Sequence, residues 1–281
     1  MVICKSKREI EKMRDSGRLV ARVLAELRRM CVEGCTTGEL DRAAERMIRD
    51  AGGVPTFKGY HGYPYSICAS PNDTIVHGFP GAYPLKNGDI ISIDVGATLN
   101  GYVGDSAITV PVGKVSEDKL RLIRVAEEAL ELAIETCRPG KRLGDLGWAV
   151  QSHAERNGYS VVRDHVGHGI GRKMHEDPQV PNYGTPGAGL KFKPGYVLAV
   201  EPMLNAGTHL TRTLSDKWTV VTADGRASVH VEHTVAITES GPDVLTRPPG
   251  YIAGSHDRDD QDLSHSSVAE AEAVQLVGAA S

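Results

Sequence analysis

A chain of 281 residues with 40% hydrophobic, 24% charged and 5% aromatic residues has globular composition, which excludes a disordered or collagen-like polymer. It is also long enough to bury a core without staples. Lys plus Arg number 32 against 36 Asp plus Glu, a net charge of −4 with no long basic run, which argues against nucleic acid as a partner. Apolar runs of only about five residues cannot span a bilayer, and the polar stretch Met1 to Glu11 lacks the apolar core of a secretory signal. The cysteines at 4, 31, 35, 68 and 137 form no CxxC pair, so reduced thiols and a cytoplasmic location are expected.

In chain order, a helical period covers Ile10 to Met30, and Gly34 precedes a second helix over 38–50. Gly52 stands where a left-handed helix cap is expected. Lys86-Asn87-Gly88-Asp89 turns into the strand Ile90-Ile91-Ser92-Ile93-Asp94, and another strand runs from Asp105 to Val110. The pattern then restarts with helices over Leu120 to Thr136 and about 143–157, with Gly158 as the second cap. Gly167-His168-Gly169-Ile170-Gly171 reads as a glycine-lined loop. Lys193-Pro194-Gly195-Tyr196 leads into Val197-Leu198-Ala199-Val200-Glu201, and a last strand runs from Glu232 to Thr238.

The restart is an internal repeat. Gly34, Gly38, Leu40 and Gly52 recur as Gly140, Gly144, Leu146 and Gly158, offset by 106, and the strand ending at Asp94 recurs at Glu201, offset by 107. Coincidence among glycine-rich turns is the bland alternative, and the ordered succession of elements argues against it. The expected architecture is one α+β domain over 1–248, with two pseudo-equivalent halves and antiparallel sheets rather than a βαβ alternation. Past Pro248-Pro249 the polar run 255–267 cannot bury enough surface to fold alone. A polar, disordered tail over 249–281 is expected, with a short helix at 267–277.

The acids on these strands carry the chemistry. Asp94 shares its strand face with Ser92 and Ile90, and Glu201 shares its face with Ala199 and Val197. Asp105 and Glu232 begin neighbouring strands. An unpaired interior carboxylate is costly or shifts its pKa until neutral, and no Lys or Arg lies within these strands. One such acid alone would read as a salt-bridge partner; four placed by a repeat point to two divalent cations, whose charge formally balances theirs. Carboxylates with an imidazole from His168 suit Mn, Fe, Co or Zn. The glycine run is no GxGxxG, no phosphate loop is present, and Pro178 prevents His175-Glu176 from opening an HExxH helix.

Seven local runs then resemble methionine aminopeptidase, in its short bacterial (type I) form: Asn72 to Gly78, Ser92 to Val95, Gly104-Asp105-Ser106, Gly167 to Gly171, His175 to Gln179, Val200 to Met203 and Val231 to Thr234. The resemblance covers about residues 5–247. It implies the pita-bread fold, a creatinase/aminopeptidase architecture with a pseudo-twofold duplication. It also implies a dinuclear site: Asp94 on one metal, Asp105 and Glu232 bridging, and His168 with Glu201 on the other, with a water shared by the ions as nucleophile. By the same resemblance Glu201 handles that water's proton, His175 stabilises the developing oxyanion and His77 hydrogen-bonds the scissile amide.

Further implied are a methionine pocket of Tyr60, Tyr63, Cys68, Met174 and Trp218, a preference for a small second residue, and action on nascent-protein N-termini at the ribosome by a monomer. Cys68 reads as a pocket wall rather than a nucleophile. Met174 stands where members often carry Phe, and His165 where an aromatic is frequent, which leaves pocket shape open. The nearest rival is an Xaa-Pro peptidase of the same fold, which usually carries a large N-terminal domain; only 76 residues precede His77. A non-catalytic binding module on this fold is a further rival, but such relatives typically lose ligands that are all present in this sequence.

Overall fold

Helix α1 (Lys7–Met30) opens on a capping box: Ser6 Oγ accepts from the Glu9 N–H, and the Glu9 carboxylate accepts from the Ser6 N–H at 2.9 Å. It therefore starts three residues ahead of the apolar period, because its first turn is polar and capped. In α2 (Thr37–Asp50), Thr36 and Glu39 form the same box. Strands β1 (Val54–Pro55), β2 (Ile67–Pro71), β3 (Thr74–Val76), β4 (Ile90–Leu99) and β5 (Tyr102–Pro111) complete the first half. These elements come from a computed structural model that describes residues 2–247; the tail expected over 249–281 lies outside the described residues.

The second half opens with α3 (Glu117–Thr136), whose first turn carries Glu117 and Asp118 where the helix dipole favours acids. In α4 (Leu143–Arg156) only half a capping box survives: the Arg142 N–H donates to Asp145 at 2.8 Å, but arginine has no side-chain acceptor to return. The strands that follow are β6 (Ser160–Val161), β7 (Gly167–Gly169), β8 (Glu176–Val180), β9 (Val197–Val200), β10 (Met203–Asn205), β11 (Thr211–Thr213), β12 (Val220–Thr222), β13 (Ser228–His230), β14 (His233–Thr238) and β15 (Gly241–Val244).

Main-chain hydrogen bonds reproduce the duplication. Gly38 N–H reaches the Gly81 carbonyl at 2.8 Å and Gly144 N–H the Ala188 carbonyl at 3.0 Å. Leu85 N–H reaches Cys35 at 2.9 Å and Phe192 N–H reaches Lys141 at 2.8 Å. Gly52 and Gly158 take φ of 76° and 84°, the left-handed caps expected of them.

Among the described residues, all sheet pairings are antiparallel. In the first half β4 pairs along one edge with β2 and β1 and along the other with β5; in the second the order is β15-β14-β9-β7-β8. Alternation sorts each strand into two faces. Ile91, Ile93, Val95 and Ala97 pack against α1 and α2 in one core. Leu198, Val200, Val235 and Ile237 pack with α3 and α4 in the other. The opposite faces, carrying Asp94 and Ala199, are left to the interior between the halves.

The halves join along β5 and the start of β14. Glu232 N–H donates to the Ala107 carbonyl at 2.9 Å, and Ser106 Oγ donates to the Glu232 carbonyl at 2.6 Å. Thr234 Oγ1 accepts from Asp105 N–H at 3.1 Å and donates to the Asp105 carbonyl at 2.7 Å. No helix among the described residues is long and apolar enough to cross a membrane.

Candidate metal centre

Register decides which acids meet. Asp94 is paired with Ala107 across β4 and β5, and Gly96 with Asp105, so the two aspartates sit diagonally on one face. In the second half Val200 is paired with His233, which sets Glu201 and Glu232 opposite each other just outside the ladder. His168 stands opposite Ala199. It does not lie in a loop, as its glycines suggested, but in the buried central strand β7. The glycines make that strand narrow: a Cβ at Gly167 would stand 2.3 Å from the Ala199 carbonyl oxygen, and one at Gly169 would stand 2.1 Å from that of Asp177.

Asp105, His168 and Glu232 each offer a ligand atom, all within 4.8 Å of one another and all buried. His168 Nε2 lies 3.7 Å from Asp105 Oδ2 and 3.7 Å from Glu201 Oε1. Its Nδ1 lies 2.9 Å from the Gly169 carbonyl, so Nδ1 carries the proton and Nε2 presents a lone pair to the acids.

Within 4 Å, the basic groups facing these acids among the described residues are imidazoles alone. Burial pushes the Asp94 carboxyl up to about 7. Burial and then mutual repulsion raise Asp105, Glu201 and Glu232 far above the usual carboxylate range. Burial also drives His168 down to about 3, so it is neutral and cannot neutralise its neighbours. Asp94 Oδ1, Asp105 Oδ1 and Glu232 Oε1 are buried and accept no hydrogen bond. Orphaned carboxylate oxygens around a bare imidazole nitrogen fit a divalent-cation cage of mixed oxygen and nitrogen donors.

The remaining predicted residues gather around this cage. The His175 ring packs edge-on to His168, centroids 4.3 Å apart, and Tyr60 Oη lies 2.7 Å from His175 Nδ1. His77 takes a left-handed φ of 58° and is driven down to about 4 by burial. Its ring lies 5.6 Å from His165 and 6.1 Å from Trp218. Tyr63, Cys68 and Met174 are buried in one apolar cluster, with Tyr60 and Trp218 packed against it. Cys68 is paired with Asp94 across β2 and β4, and burial holds its thiol protonated, in keeping with a wall residue.

Two residues of this neighbourhood escaped the reading of the sequence. His230 is buried, and its Nε2 lies 3.6 Å from Glu201 Oε2 and 3.9 Å from Glu232 Oε2. The available signal was its place two residues before Glu232. Lys5 forms a buried 2.6 Å ion pair with Glu176, which follows His175; nothing in the sequence linked positions 171 apart.

Comparison with known proteins agrees with this geometry. The model of metallopeptidase family M24 matches residues 11–239. Methionine aminopeptidase 1 of Bacillus subtilis (strain 168) is 53% identical over 247 residues, covering 88% of this chain and 100% of the relative. The crystal structure of methionine aminopeptidase from Thermotoga maritima superimposes with a TM-score of 0.87 at 45% identity, over 88% of this chain and 100% of that one. A prolidase from Pyrococcus horikoshii OT3 reaches a TM-score of 0.71 at 22% identity, over 88% of this chain and 64% of that one, a likeness of fold alone.

Proposed function

The chain belongs to metallopeptidase family M24, with its pita-bread fold, and from that premise we infer that it is a methionyl aminopeptidase, removing the N-terminal methionine of peptides and proteins. The observation that carries this reading is the meeting of Asp105, Glu201 and Glu232, from both halves, at His168, with Asp94 beside Asp105 on the same sheet face and, among the described residues, no Lys or Arg within 4 Å of these acids.

Two divalent cations (Co, Mn, Fe or Zn) would be held by these five residues: Asp94 on one, Asp105 and Glu232 between both, His168 and Glu201 on the other. When bound they supply a water whose pKa falls toward neutrality and a Lewis acid for the peptide carbonyl. Glu201 takes the proton of the attacking water on a carboxylate oxygen and passes it to the leaving amine. His175 donates Nε2–H to the oxygen that gathers charge, and His77 hydrogen-bonds the scissile amide. Tyr63, Cys68 and Met174 exclude water from the thioether, while Tyr60 and Trp218 wall the mouth. As the family resemblance implies, a small residue after methionine is favoured. The cellular substrates are nascent N-termini emerging from the ribosome, met by a cytoplasmic monomer that binds neither nucleic acid nor membrane.

The deciding assay compares Met-Ala-Ser with an Ala-Pro peptide, with and without chelator. Chelator-sensitive release of methionine is expected. Turnover that survives chelation, or cleavage of the Pro peptide alone, overturns the reading, the latter in favour of an Xaa-Pro peptidase. Glu201→Gln should abolish turnover with the fold intact.

A further inference from the structure

His230 is the buried side chain next to the acids that the mechanism leaves without a task. It is 2% exposed, and its Nε2 has no hydrogen-bond partner. Its main chain is bolted to the strands that bear the two aspartates. Its N–H donates to Ser92 Oγ at 3.1 Å and to Thr109 Oγ1 at 3.3 Å, and its carbonyl accepts from Thr109 Oγ1 at 2.8 Å. On the other side β13 pairs His230 with Met203, two residues beyond Glu201. The ring therefore has a fixed base and one unsatisfied nitrogen aimed at carboxylates.

Glu201 is flanked by two imidazoles, one to each oxygen: Oε1 faces His168 Nε2 at 3.7 Å and Oε2 faces His230 Nε2 at 3.6 Å. The His168 nitrogen is a bare lone pair, because its Nδ1 proton is committed to Gly169. At 3.6 Å the His230 contact is not yet a hydrogen bond, but a shift of roughly half an ångström would make it one. A carboxylate ionised by a cation offers only acceptors. Its outer oxygen can then satisfy the unpartnered His230 Nε2, and outer partners of this kind orient the ligands they touch.

We propose that His230 is a positioning residue of the metal centre: its Nε2–H donates to Glu201 Oε2, holding that oxygen outward and leaving Oε1 to the cation and the water proton. The proposal rests on the cation-dependent reading of this site. It makes His230 neither a ligand nor a general base. The catalytic group remains Glu201, and His230 acts through it.

The test uses the full chain. The affinity of chelator-treated protein for Mn²⁺ is measured by calorimetric titration, and the visible spectrum of the Co²⁺-loaded protein is recorded, for wild type, His230→Leu and His230→Gln. H230L is expected to bind its weaker cation on the order of 10–100-fold less tightly, to shift the Co²⁺ bands and to lose kcat with KM nearly unchanged. H230Q, which keeps an N–H donor, should recover most of each. A folded H230L with wild-type Mn²⁺ affinity and Co²⁺ spectrum overturns the proposal.

Should H230L not fold, histidine ¹⁵N resonances of the Zn²⁺-loaded wild type decide. A protonated Nε2 at His230 supports the proposal, and a bare or zinc-bound Nε2 refutes it. Wild-type protein that takes up no cation would refute the site reading itself, a result separable from loss of the His230 role alone.

Discussion

The phenolic oxygen of Tyr60 lies 2.7 Å from Nδ1 of His175, joining a tyrosine packed against the apolar cluster to an imidazole that packs against His168. For the ring to present Nε2–H to a substrate oxygen, Nδ1 must accept, and the Tyr60 O–H is placed to donate to it. Tyr60→Phe frees the other tautomer and should lower kcat roughly tenfold, the worth of one hydrogen bond. His175→Ala removes the donor and should cost about 100-fold or more. Steady-state kinetics on Met-Ala-Ser checks both; a Y60F enzyme at wild-type kcat would remove the tautomer argument.

Cation binding should show in stability as well as turnover. Asp105 and Glu232 repel each other when no cation intervenes, and the folded state alone assembles the cage. Mn²⁺ at 100 times its Kd should therefore stabilise the fold by about 2.7 kcal/mol, a rise in Tm of roughly 5–10 °C for a domain of this size. Asp105→Asn should lose most of that rise while melting no lower than wild type in chelator, because it replaces a buried carboxyl whose ionised form the site opposes. Thermal melts with Mn²⁺ and with chelator measure both arms.

Lys5 and Glu176 form an ion pair with side chains only 4% and 7% exposed. Glu176 also accepts the N–H groups of Arg172 and Lys173, at 2.9 and 3.2 Å, and so shapes the turn that carries His175. Lys5→Met strands the carboxylate in the interior and should destabilise by about 3 kcal/mol, with a fall in kcat as the turn loosens. The double variant Lys5→Met/Glu176→Gln should be less destabilised than K5M alone, a coupling read from a denaturant double-mutant cycle.

At the start of α1, the Ser6 backbone and hydroxyl, joined by the Tyr102 hydroxyl, hold the Glu9 carboxyl down to about 2 from an ordinary 4.5. A carboxyl depressed on folding stabilises fully above its unfolded pKa, and that contribution is lost as pH falls toward the folded one. Ser6→Ala should cost about 1 kcal/mol at neutral pH. The gap between wild type and S6A should narrow as pH drops from about 4.5 toward 2. Glu9 is partly exposed, so added salt should shrink the effect further. Urea melts across that pH range check it; a gap that widens in acid would reverse the sign.

Local chemistry in the sequence determined a good deal of this protein. Helix extents followed from period and caps, and the duplication from glycine spacing: only glycine enters the left-handed caps at 52 and 158 without strain. Apolar runs leading into Asp94 and Glu201 with no basic neighbour pointed to a cation site, because charge balance has to close in an interior wherever the chain runs; that β4 continues past Asp94 to Leu99 was not legible. Tertiary structure decided the rest. Gly167-His168-Gly169 is a buried strand whose two glycines let the Ala199 and Asp177 carbonyls approach where a Cβ would clash. His230 carried no signal of its own; the pairing of β13 with β10 and its main-chain bonds to Ser92 and Thr109 set it beside Glu201. Lys5 and Glu176 gave no sign of each other. Such contacts are made by segments far apart in the chain, and neither periodicity nor spacing within one segment carries the distance between groups brought together only by packing.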